Sequence, residues 1–157
     1  MMGNALLIVG WLATLCYVAT GVVGYAAAGE QAGSLHVLLG LMACLLLLFS
    51  HTWIMFYLIG TGKAIKTAVT EHGLSQEWIE KTKEFKNQSY PALTLAIALV
   101  MTMFILGGGV ERRVIPTWVH HGLFYVALFA QVRSLWIEHV VLAANRRLWN
   151  QVDDQLS

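Results

Sequence analysis

The chain has 157 residues, of which 57% are hydrophobic and only 12% charged, with a mean hydropathy of +0.63. Soluble domains carry about a quarter charged residues, so composition assigns this protein to a membrane and excludes an ordinary soluble domain. A net charge of +1 without a basic block excludes a nucleic-acid footprint. Cys16 and Cys44 lie inside apolar runs at no metal-binding spacing.

Four apolar runs, at 4–28, 34–60, 89–109 and 115–141, are each long enough to cross a bilayer as a helix. The expected fold is all-α: one transmembrane domain over 1–157, an integral membrane four-helix bundle with up-down-up-down topology. A short interfacial helix is expected in the loop between spans two and three. The first run ends in Ala26-Ala27-Ala28, which resembles a signal-peptidase site. No Lys or Arg precedes it and it is long for a signal sequence, so it reads as a retained helix. Lys63, Lys66, Lys81, Lys83, Lys86, Arg146 and Arg147 fall on one side of the four spans, and Arg112 and Arg113 on the other. The bias of positive charge toward the cytoplasm then puts both termini there, in a bacterial-type inner membrane.

In chain order, span one has Asn4 as its expected cap and small residues, Gly21, Gly24 and Ala26 to Ala28, in its outer half. Such residues let helices approach closely or leave room for a flat ligand. The turn at 30–34 is short and makes spans one and two antiparallel neighbours. Span two carries His36 and His51, and ends at Gly60-Thr61-Gly62-Lys63. That tetrapeptide lacks the upstream glycine and preceding strand of a phosphate loop. In the following loop Ser75 is a good N-cap and Glu77 suits a first turn, while Trp78, Ile79, Thr82 and Phe85 share one face. Span three opens at Pro91 and stops at three glycines, and its role is structural. Span four carries His120 and His121 near its outer end and His139 near the inner boundary. Arg133 and Glu138 point to the inner interface or into the bundle.

Apart from His72 in a loop, every histidine falls on spans two and four, which run in the same direction. At 100° per residue His36 and His51 are about 60° apart around their helix, and His121 and His139 coincide. Span two's stripe also contains Gly40, Ala43 and Ser50. Neutral imidazoles on facing helices can take the two axial positions of a haem iron. The expected pairs are His36 with His121 at the outer level and His51 with His139 at the inner one, with His120 as an alternative outer ligand. One or two haem b groups would be held this way, with Gly40 leaving room, Arg133 neutralising a propionate at the inner edge, and Arg112 and Arg113 doing so at the outer.

In this placement the chain resembles, in type, the four-helix b-type cytochromes of respiratory membranes. That resemblance covers the histidines of spans two and four. It implies electron transfer between haem and quinone, or with a partner respiratory subunit. The separations here, 15 and 18 residues, are less equal and slightly longer than in those cytochromes. Helix tilt of about 20° can absorb the difference, or a single haem is held. The competing expectation is a non-catalytic accessory or assembly subunit of a larger membrane complex, with structural histidines. A proton or ion carrier is expected to show a buried carboxylate, and the reading is that none is present. No serine–histidine–carboxylate set or nucleotide motif is present, so any redox chemistry belongs to a cofactor.

Overall fold

A backbone in hydrocarbon must satisfy its own hydrogen bonds, which favours uninterrupted helices wherever the chain is apolar. The computed structural model describes residues 2–26 and 30–156. It contains α1 (Met2–Ala26), α2 (Glu30–His72), α3 (Glu77–Glu111) and α4 (Thr117–Asp153). All four are long and apolar enough to cross a membrane. Ala27 and Ala28, part of the small-residue cluster of span one, lie outside the described residues.

Each helix packs on the next in sequence, and α4 returns to α1, so that α2 and α4 face one another across the diagonal. Both termini lie at one end: the Arg146 guanidinium donates to Asn4 Oδ1 at 3.1 Å. Asn4 is therefore inside α1 and serves as an acceptor for α4 rather than as a cap. Residues 30–34, expected as the turn, are already helical in α2, and α1 and α2 are antiparallel neighbours.

Three apolar layers stack along the bundle. Farthest from the termini, Ala13, Tyr17, Ala43, Leu47, Val100, Met103 and Ala127 pack together. Leu6, Ile54, Leu58, Leu93, Val141 and Leu142 form the middle layer. Between 22% and 44% of the residues in each span's most apolar window are buried. Most of the apolar surface, including Leu15, Phe56, Ile105, Phe129 and Trp136, therefore faces outward, as lipid-facing surface must.

The third layer corrects one expectation. Residues 77–88 do not form a separate interfacial helix; they are the first turns of α3, which continues through Pro91. Trp78, Ile79 and Phe85 pack on Ile65, Val69, Leu148 and Val152. The apolar face is covered by extensions of α2 and α4 instead of by lipid. Ser75 does begin the helix, its Oγ accepting from the Glu77 N–H at 3.3 Å. With 43 residues α2 is roughly 64 Å long, about twice the hydrocarbon thickness. The bundle thus projects well beyond the expected span at the end that carries its termini.

At the opposite end α3 stops in a turn made by Arg113 at φ 60°. The Val114 N–H donates to the Gly109 carbonyl at 3.0 Å and the Arg113 N–H to Val110 at 2.9 Å. Ile115 folds back over Gly109, where a Cβ would meet its Cδ1 at 2.6 Å. This closes the helix with a left-handed residue and an apolar contact.

Candidate functional sites

The end of the bundle away from the termini contains a cavity of about 580 Å³ lined by residues of all four helices. That volume is in the range of small-molecule and cofactor sites. Glycines make the room. A Cβ on Gly24 would lie 2.6 Å from the His36 ring, one on Gly21 2.4 Å from Phe124, and one on Gly107 3.2 Å from His120. Gly40 also lines the cavity, beside Thr20 and Phe104. The floor is aromatic: Tyr17 stacks on Phe124 with ring centres 5.0 Å apart, and its hydroxyl lies 2.8 Å from Met103 Sδ.

Three of the expected ligands line this cavity: His36, His120 and His121. His36 Nδ1 lies 3.0 Å from the Thr20 carbonyl. An N–H on Nδ1 donates there, which leaves Nε2 as the free lone pair. A backbone carbonyl holding the distal N–H is how metal-ligating histidines are commonly oriented. His36 faces His120, with ring centres 6.2 Å apart and planes at 87°. Two imidazoles on opposite sides of one ion, at about 2.0 Å each, would have centres roughly 6 Å apart. His120 lies beside the backbone of Met103, and its enclosed Nδ1 has no hydrogen-bond partner. His121 packs on Tyr25 at 4.4 Å. The ring beside His36 is thus that of His120, named above as the alternative ligand, while His121 packs against α1. Among the described residues no group of three or more His, Cys, Asp and Glu side chains converges on one point.

The expected inner pair is not brought together. His139 is exposed on α4, whereas His51 is fully enclosed at 0% exposure. Both ring nitrogens of His51 are engaged: Nδ1 is 2.5 Å from Glu138 Oε1 and Nε2 is 2.7 Å from Gln131 Oε1. With no free lone pair, His51 has none to offer a metal. Arg133 is exposed on α4 and does not line the cavity.

Glu138 corrects a second expectation, that no buried carboxylate is present. Of the interface and the bundle interior it takes the interior, completely buried, as is Gln131. The Gln131 amide donates to Thr14 Oγ1 at 3.1 Å, and the Thr14 hydroxyl donates to the Gly10 carbonyl at 2.8 Å. Toward the termini, Asn145 and Thr61 bond to each other at 3.1 Å. The signal for this ladder was a seven-residue spacing: Gln131, Glu138 and Asn145 repeat along one face of α4. Reading the histidines alone passes over it. Comparison with known proteins finds no match among protein families, curated proteins or solved structures.

Proposed function

We propose that this protein is a membrane electron carrier whose glycine-lined cavity would take one b-type haem, with His36 and His120 as the residues that would hold it. The observation that carries the reading is the pair of imidazoles 6.2 Å apart in a cavity of about 580 Å³. His36 is pre-oriented by the Thr20 carbonyl, and His120 has an enclosed nitrogen without a partner. An unpaired buried polar atom is costly in an apolar setting, and a metal would satisfy it. Haem, when bound, supplies the one-electron chemistry. The chain's residues orient the ligands, exclude water through Tyr17, Met103 and Phe124, and leave a face near Gly108 and Thr117 for an exchanging quinone or redox partner. Arg112 and Arg113 stand at this end to neutralise propionates.

The reading also takes the chain as an inner-membrane protein with both termini in the cytoplasm, from its Lys and Arg asymmetry. An optical spectrum of the purified, haem-supplied protein tests it. A reduced b-type band at about one haem per chain is expected. His36→Ala and His120→Ala should lose it, while His139→Ala should keep it. A preparation that binds no haem overturns the reading. If it also copurifies with other membrane subunits, the accessory-subunit alternative takes its place.

A further inference from the structure

The helices on the diagonal, α2 and α4, meet at His51 and Glu138, neither of which the cavity uses. Proton positions along this ladder follow from its hydrogen bonds. The Thr14 hydroxyl donates to the Gly10 carbonyl, so its oxygen accepts from the Gln131 amide N–H. Gln131 therefore turns its carbonyl oxygen to His51, and Nε2 of His51 must carry a hydrogen to donate. On the other side of the ring, Nδ1 and Glu138 Oε1 are 2.5 Å apart. Two bare lone pairs would repel at that separation, so one proton lies between them.

A second observation says where that proton goes. Glu138 Oε2 and Ser50 Oγ are both enclosed and without a partner. Both border one point above Gly10: a Cβ there would lie 3.2 Å from Ser50 Oγ and 3.8 Å from Glu138 Oε2. Toward the termini the next polar rung is Asn145–Thr61, one heptad or about 10 Å from Glu138 along α4. Between that rung and the pair lies the layer of Ile54, Leu58, Leu93, Val141 and Leu142, and in the other direction the layer of Tyr17, Leu47, Val100 and Met103 separates the pair from the histidine cavity.

We propose that His51–Glu138 is a proton-loading site enclosed between these two layers. Loaded, the pair holds one shared proton and has no net charge. Unloading passes that proton to water by way of Glu138 and Ser50, leaving a neutral imidazole and a carboxylate with net charge −1. The Ser50 hydroxyl then donates to the carboxylate. Among the described residues no other charged group faces the pair. α1 presents Gly10 and Thr14, and α3 has no titratable side chain from Pro91 to Val110. The neighbouring titratable residues on α1 and α2 are Cys16, Tyr17 and Cys44 in the layer next to the cavity and Tyr57 against the middle layer, while Arg133 and His139 on α4 are exposed. An ionisable pair at this depth is expensive, and apolar residues of similar size commonly serve stability as well or better. The proposal does not depend on haem in the other cavity.

The test uses the full chain, ¹⁵N-labelled at histidine, in lipid vesicles of uniform orientation. His51 ring signals, identified by their loss in His51→Gln, should switch between two protonation forms as pH rises from about 4 to 10. The switch should be abolished in Glu138→Gln, whose amide keeps the shape without the acid. In ¹³C-glutamate wild-type protein, an infrared carboxyl or carboxylate band should change in step, which needs no variant. The proposal is overturned by signals that never change in folded protein, or by a switch unaltered in Glu138→Gln.

Discussion

His36 and Gly24 depend on each other. Because a Cβ at Gly24 would stand 2.6 Å from the imidazole, Gly24→Val should push His36 out of line and abolish haem absorbance, with helix content by circular dichroism unchanged. Gly33→Ala, which meets nothing within 4 Å, should leave the spectrum intact. Arg113 is the one described residue other than glycine at positive φ. Arg113→Gly relieves the left-handed strain at the cost of a freer unfolded chain, and should stabilise by about 0.5 kcal/mol. Thermal unfolding in detergent would read this, and a lower midpoint would contradict the turn described here.

At the scale of the helices, the extension beyond the expected span is held by an apolar layer of its own. Leu148 is nearly fully buried between Ile65, Val69 and Val152. Leu148→Ala should cost about 2–4 kcal/mol locally. Hydrogen exchange should then show lost protection at 65–85 and retained protection at 93–105. Equal loosening throughout would mean that the extension and the apolar bundle unfold as one unit. The same scale explains the interfacial-helix expectation. The amphipathic face of Trp78, Ile79, Thr82 and Phe85 was legible, but a face of this kind fits a lipid surface and a neighbouring helix alike.

For the whole molecule, the diagonal contact between α2 and α4 has a clear energetic test. Breaking the buried pair on one side, as in Glu138→Leu, strands an imidazole among apolar groups and should destabilise by about 3–5 kcal/mol. Replacing both, His51→Leu with Glu138→Leu, should recover most of that loss. A double variant as unstable as the sum of its singles would show that the pair is not coupled. Orientation is tested by cysteine labelling after Cys16 and Cys44 are replaced by alanine. A membrane-impermeant maleimide on intact cells should label Arg113→Cys and spare Gly73→Cys, and the reverse pattern would invert the topology.

By itself the sequence determined how many long apolar helices there are, roughly where they lie, and that the five histidines outside the loop reading fall on α2 and α4. Those features follow from hydrophobic length and from histidine placement, which are properties of a linear chain. Only the tertiary structure decided the partners. Helical phase puts His36 and His51 within about 60° of each other, yet phase is blind to which neighbour each meets. His36 meets His120 because glycines at 24 and 107 admit both rings. His51 meets Glu138 and Gln131 because α2 and α4 cross at that level, which encloses a carboxylate that the sequence left between the interface and the bundle interior. Burial is a property of the packed bundle, and it turned one half of the expected haem ladder into a hydrogen-bonded acid–base pair.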